Sequence, residues 1–411
     1  MRNFALAAPL AALIVLSAGP ALSADIAVRP GPDAAEKLAE ALIGAQEGDT
    51  IWLGFGKYEL TDGLSLDVDG VSVRGMGPDS SILSFTNQQG SGEGLLVTSD
   101  RVVLTGFAVE NAKGDGIKSK GSDQITFSDL RVEWTNGPSE KNGAYGVYPV
   151  SSKNVLIDNV TVRGASDAGI YVGQSDGIVV RNSLAEFNVA GIEIENSFRA
   201  DVYKNIARHN TGGILIFDLP NLPQQGGHDI RVFDNDSVEN DTPNFAPKGN
   251  TVAMVPMGMG IMVMANRNVH VFNNRLDKNA TTHVLIAAYP NDYDDKNYMF
   301  VPRGVYVHDN TYGEGGNAPD GEVGDTISKY SGTPVPDIVW DGVTRIPEWL
   351  SWTATENRVY VSEKEGTSFV NIKMLSQLIL PWSTTPDTDI SAYKGSLPEP
   401  APVVLPQDKA S

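Results

Sequence analysis

Three features predict an all-β chain wound as a right-handed parallel β-helix, a single-stranded solenoid with an N-terminal capping helix. A glycine followed by alternating apolar residues returns at near-constant spacing, and a second β-rich stretch ending in asparagine lies between the returns. Two-residue Asn-Gly turns joining paired strands, the mark of antiparallel hairpins, are missing.

The repeat reads Gly94-Leu-Leu-Val, Gly116-Ile-Lys-Ser, Gly146-Val-Tyr-Pro, Gly169-Ile-Tyr-Val, Gly191-Ile-Glu-Ile, Gly213-Ile-Leu-Ile and Gly260-Ile-Met-Val. Successive glycines are 22, 30, 23, 22, 22 and 47 residues apart, so two turns carry insertions. His283 follows Gly260 by 23 and continues the series without its glycine. A period of this length holds two or three short strands and no crossover helix, which stacks parallel strands in a coil. The right-handed crossover preference sets its hand. The second strand ends at Asn159, Asn182, Asn205, Asn235, Asn274 and Asn310. Stacked turns align such side chains, so a ladder of asparagine amides along the axis is expected.

The ends follow. Residues 33–45 place Ala35, Leu38, Ala39 and Leu42 on one helical face with Asp33 as N-cap, an amphipathic lid for the first strand edges. The expected organisation is a signal peptide at 1–24, an N-terminal cap at 25–48, the β-helix at 49–312, and a C-terminal cap with a proline-rich tail at 313–411. That tail lies along the solenoid or is disordered. The signal is read from Arg2, the apolar run 5–17 and the small residues Ala21, Ser23 and Ala24. It implies a periplasmic or secreted protein, and no later apolar run is long enough to span a membrane.

The chain has no cysteine, which excludes disulfides, thiolate metal sites and covalent haem. A formal charge of −20 excludes nucleic acid as a partner, and it disfavours polyanionic polysaccharides.

The strings Asn142-Gly-Ala-Tyr-Gly-Val-Tyr-Pro, Gly164-Ala-Ser-Asp-Ala-Gly-Ile-Tyr-Val-Gly-Gln, Val189-Ala-Gly-Ile-Glu-Ile-Glu-Asn and Thr211-Gly-Gly-Ile-Leu-Ile-Phe-Asp-Leu-Pro resemble an uncharacterised family of bacterial parallel β-helix repeat proteins within the pectin-lyase-like superfamily. The resemblance implies export, a solenoid, and gene pairing with a secreted protein bearing c-type haem motifs. It supplies no catalytic residues and no cofactor. A looser similarity links the chain to the mannuronan epimerases and pectate lyases. Epimerases of that group carry a Tyr-Gly-x-Asp-Pro-His string, whereas this chain has Tyr145-Gly146-Val147-Tyr148-Pro149-Val150. Tyr148 replaces the aspartate and Val150 the histidine, so that chemistry does not carry over.

With Ile117, Val147, Ile170, Ile192, Ile214 and Ile261 inward, strand alternation points Lys118, Tyr148, Tyr171, Glu193, Leu215 and Met262 outward in one column. Lys120, Val150, Gly173, Glu195 and Phe217 form the next, and Asp115, Asp167 and Asp218 lie at the strand ends. Tyrosine faces stack on sugar rings, a lysine or tyrosine can abstract a proton beside a carboxylate, and paired carboxyls can cleave a glycoside. The catalytic candidates are therefore Lys118, Tyr148, Tyr171, Glu193 and Asp167, with Tyr145, Lys120, Glu195 and Asp218 as substrate-binding candidates. Lys113, Lys118 and Lys120 form a small basic cluster, and insertions at 134–143, 219–227 and 240–256 are placed to wall this face.

Three functions fit: a protein that binds or modifies a polysaccharide or oligosaccharide, a non-catalytic partner of a secreted cytochrome-type protein, or a copper handler. The last rests on Met254, Met257, Met259, Met262 and Met264 with His283 nearby, against a purely apolar role for the same methionines.

Overall fold

The computed structural model describes residues 23–350, 353–380, 382 and 384–409; the signal segment lies outside them but for Ser23 and Ala24. The chain is a parallel β-helix of three-sided coils. Eleven strands, from Leu64–Leu66 to Phe369–Asn371, form what we term the front sheet. The other two sides are a back ladder, from Asp25–Val28 to Val359–Ser362, and a short side ladder, from Gly56–Glu59 to Thr311–Tyr312. Strands Thr126–Glu133 and Lys153–Arg163 run unbroken through the bend between back and side.

That bend is made by one left-handed residue per coil. Asp129, Asn159, Asn182, Lys204, Asp234, Asn273 and Asp309 all have φ between 50° and 56°, a conformation that Asn and Asp adopt most readily among non-glycine residues. Asn159 and Asn182 therefore stand at the exposed corner and donate to Asp129 and Asp158. They are not in the ladder the spacing predicts. The ladder forms one residue later, in the buried column Asn205, Asn235, Asn274 and Asn310, each amide donating to the next at 3.0 Å. Ser183 occupies that position one coil earlier, its backbone amide donating to Asn205.

A second ladder escaped sequence reasoning. Asn188, Asn210, Asn240 and Asn279 are joined at 3.0, 3.3 and 3.0 Å beside the start of the front strands. It bears on the glycine in four coils, whereas in earlier ones a Cβ on Gly116 or Gly146 would meet Val132 or Val162 at 2.3 or 2.2 Å. A Cβ on Gly169, Gly191, Gly213 or Gly260 would fall 2.7–2.8 Å from an asparagine Nδ2 of this ladder. Where the ladder ends, His283 replaces the glycine, and its Nδ1 lies 3.1 Å from Asn279. Inside the coils Ile170, Ile192, Ile214, Ile261 and Val284 stack in a dry column.

Helix Ala34–Gly44 buries Leu38 and Leu42 over the first coils. Asp33 sits at its N-cap position but caps no amide; it pairs with Lys37 at 2.6 Å. At the other end the solenoid outlasts its sequence period. Ile338–Trp340, Val359–Ser362 and Phe369–Asn371 continue the ladders past Tyr312. The proline-rich tail lies along the back ladder: Glu399 pairs with Arg231 at 2.6 Å, Val403 N–H donates to Asp201, and Leu405 is buried on Leu156 and Val179. Among the described residues no helix is long and apolar enough to cross a membrane.

Candidate active site

The front sheet has the register that alternation predicts, pairing Lys118 with Tyr148 and Tyr171 with Glu193, then Glu193 with Leu215 and Leu215 with Met262. The column is not an open polar face, however. Tyr171 is 4% exposed, Glu193 2% and Leu215 0%. The insertions and the helix Gly321–Ser331 fold over it and bury an apolar layer outside the sheet: Val252, Val255, Tyr298 and Ile327 pack with Tyr171, Leu215, Phe217 and Leu285.

Tyr145, Tyr148 and Tyr171 cluster at the margin of this roof, with ring centroids 4.4–4.9 Å apart. Tyr171 lies back over Gly173, where a Cβ would stand 2.4 Å from the ring, and so its hydroxyl donates to Glu195 at 2.6 Å. Asp167 accepts from Asn250 of the roof at 3.0 Å and is reached by the Tyr145 hydroxyl.

Asp167, Glu193 and Glu195 are buried together, and none forms an ion pair among the described residues. Burial, reinforced by mutual repulsion, raises all three. Asp167 and Glu195 are pushed up to about 7, and Glu193 is raised well above the usual carboxylate range. The cluster thus holds its protons to higher pH than free carboxyls do. Its Oε2 has no hydrogen-bond partner among the described residues, a state native structures seldom tolerate without a ligand or ordered water. Burial likewise raises the Tyr145, Tyr148 and Tyr171 hydroxyls, which stay neutral donors.

The remaining candidates separate from this cluster. Lys118 is held by Glu93 at 3.0 Å and Asp115 at 3.3 Å, with its ammonium 4.7 Å from the Tyr148 ring centre. It is therefore not free to act as a base, since burial lowers its affinity for a proton less than these partners raise it. Lys113 and Lys120 are exposed, and the three lysines do not build an anion site. Asp218 is occupied by its own loop, accepting from Gly226 and Gly227 N–H groups at 3.2 and 2.8 Å. Burial lifts it to about 6.

Of the five methionines, Met254 is 38% exposed and Met257 half-buried. Met259 and Met264 are buried in the outer layer beside Leu215 and Phe217, with Met262 half-buried against it. His283, the proposed nitrogen donor, meets the asparagine ladder through Nδ1, while its buried Nε2 has no hydrogen-bond partner among the described residues. Among the described residues no group of His, Asp and Glu is arranged to hold a metal ion. A cavity of about 310 Å³ lined by Trp340, Arg358 and Tyr393 touches none of the candidate residues.

Fold and site together define a right-handed parallel β-helix with a roofed carboxyl cluster on one sheet. Residues 69–222 match the family model described as right handed beta helix region. No curated protein sequence matches the chain. Among solved structures, the mannuronan C-5 epimerase A-module of Azotobacter vinelandii is similar with a TM-score of 0.53 at 14% identity, covering 83% of this chain and 94% of that one. The lacto-N-biosidase of Eubacterium ramulus is similar with a TM-score of 0.52 at 13% identity, covering 82% of this chain and 68% of that one. At such identities the likeness shows the shared fold.

Proposed function

We propose that this is an exported carbohydrate-active protein that cleaves a neutral glycan by acid–base chemistry at Glu193, Glu195 and Asp167. The observation carrying the reading is the group of buried carboxyls without cation partners, protonated near neutrality beside three tyrosines. Glycoside cleavage needs one carboxyl that gives a proton to the leaving oxygen and another that activates water or attacks. Glu193 suits the donor. Glu195, titrating near 7 and held by Tyr171, suits the base. Both solved structures described above are, by their names, carbohydrate enzymes.

Cleavage is favoured over elimination or epimerisation on electrostatic grounds. Those reactions act beside a uronic carboxylate, which needs a cation to neutralise it, whereas this cluster is acidic and Lys118 is already paired. Neutral and uronic glycans scored for new reducing and new unsaturated ends test the reading. New reducing ends from neutral glycans, lost in Glu193→Gln and Glu195→Gln, are expected. Unsaturated ends would make the protein a lyase. Silence throughout, with capture of a secreted haem protein at low ionic strength, would leave the non-catalytic partner role.

A further inference from the structure

Along the front column, Glu193 is followed coil by coil by Leu215, Met262, Leu285 and Val339. Four coils at about 4.8 Å each put Val339 and its neighbour Trp340 about 19 Å from the carboxyl cluster. The chain then runs on through Thr344, the helix Ile346–Leu350 and Asn357 before the back strand Val359–Ser362. Between these segments lies the cavity of about 310 Å³. Ala392 and Lys394 line it and are exposed, so its mouth opens to solvent. At about 30 Å³ per water it has room for about ten, or for one substituted six-membered ring.

Its walls combine aromatic faces with hydrogen-bond donors. Trp340, Tyr360 and Tyr393 line it, with Trp340 edge-on to Tyr393 at 5.8 Å between ring centres. The Trp340 indole N–H is buried and has no hydrogen-bond partner among the described residues. Native structures seldom leave such a donor without an acceptor from water or a ligand.

Positive charge gathers at this corner of a chain whose formal charge is −20. Arg358 and Lys394 line the cavity, whereas the acid that lines it, Glu348, is already paired with Arg345. Arg303, which Asn357 follows in the back-ladder register, forms no ion pair among the described residues, and its buried Nε has no partner. Burial, then Arg267 and Arg345, lower its proton affinity more than Glu348 and Asp218 raise it. The corner is short of negative charge, which an anion in the cavity would supply.

We propose that this cavity binds a small monocarboxylate built on a six-membered ring. The ring lies against Trp340, Tyr360 and Tyr393, and the carboxylate faces the Trp340 N–H, Arg358 and Lys394. Aromatic faces take the ring, and charge-assisted hydrogen bonds select the carboxylate. The site is separate from the carboxyl cluster and does not depend on the glycan-cleaving reading.

Calorimetric titration of the full chain with benzoate and with glucuronate, each beside its amide, tests it. Saturable one-to-one binding of at least one acid is expected, with its amide about 10–100-fold weaker for want of the charged acceptor. Benzoate alone would assign a flat aromatic acid, and glucuronate alone a sugar acid. Trp340→Phe keeps a ring but removes the N–H, and should weaken the acid about tenfold. Lys394→Gln, at the exposed rim, should weaken it about threefold, and Lys141→Gln, an exposed lysine of another loop, should change nothing. No saturable binding of either acid overturns the site. Amides or inorganic phosphate binding as tightly as the acids would overturn the ring carboxylate. Affinity unchanged in both Trp340→Phe and Lys394→Gln would place the acid elsewhere and overturn the proposal.

Discussion

Buried carboxyls on two sides of the same coils are treated in opposite ways. On the back and side ladders each is matched to a guanidinium: Asp201 takes Arg231 in a two-pronged bond at 2.8 and 2.6 Å, and Glu186 takes Arg163 and Arg208 at 2.7 and 2.8 Å. Although burial pushes Glu186 up, its two arginines outweigh that and bring it below the usual carboxylate range. On the front sheet, at similar depth in the same turns, Asp167, Glu193 and Glu195 face tyrosines and one another, and each is raised. These ladders pair their buried acids and the front cluster does not. Asp341 and Glu363, raised by burial to about 7 and about 6 without a cation partner among the described residues, are held singly. What sets the front group apart is that three such carboxyls lie together.

The largest effect should come from exchanging one acid on each side. Glu195→Gln is expected to lower glycan turnover by about 10²–10⁴-fold with no fall in thermal stability. Asp201→Asn should leave turnover alone and destabilise by roughly 1.5–3 kcal/mol, because buried Arg231 loses its two-pronged bond and keeps only Glu399 as a charge partner. Equal destabilisation by the two substitutions, measured by chemical denaturation, would break the comparison and make the front acids structural.

Asparagine at the bend gives a similar contrast. Asn235→Ala should cost about 2–4 kcal/mol, since it strands ladder partners on both neighbouring coils. Asn182→Ala, at the exposed corner, should cost less than about 1 kcal/mol despite sitting in the same repeat. A ladder loss as small as the corner loss, read from urea midpoints, would show that the ladder is not a support of the back ladder.

Proton linkage sharpens the contrast further. Asp167 and Glu195 titrate near 7 folded, against ordinary values of 3.8 and 4.5, so between about 4 and 7 the folded chain binds more protons than the unfolded one. Their contribution to stability is therefore greatest at the acid side of that window and declines as pH rises through about 7. Glu195→Gln should flatten the fall in melting temperature between pH 5 and pH 8 by a few degrees, an amount that corresponds to roughly 1 kcal/mol. An unchanged slope would mean that Glu195 is ionised in the native state at both pH values.

The smallest change is expected in the outer layer. Met262→Leu should shift stability by less than about 1.5 kcal/mol, as a volume-conserving swap in apolar packing does. A larger loss that copper(I) restores in the wild-type protein alone would return the methionines to metal binding.

The sequence by itself determined the coil, its hand and the register of the front sheet, because a period-two pattern repeated every 22 or so residues can bury its apolar set in only one stacking. It also named Tyr148, Tyr171, Glu193, Glu195 and Asp167 as neighbours. It misplaced Asn159 and Asn182, since spacing does not distinguish a corner residue at positive φ from the ladder residue one step on. Tertiary structure alone decided that the tyrosine column ends under a roof. That roof is made of Asn250, Val252, Val255, Tyr298 and Ile327, residues from 57 to 134 positions after Glu193 with no repeat of their own to place them. Whether an outward carboxyl is solvated or protonated depends on which distant segment covers it and whether that segment brings a cation. Neither is written in the periodicity of the strand that carries it.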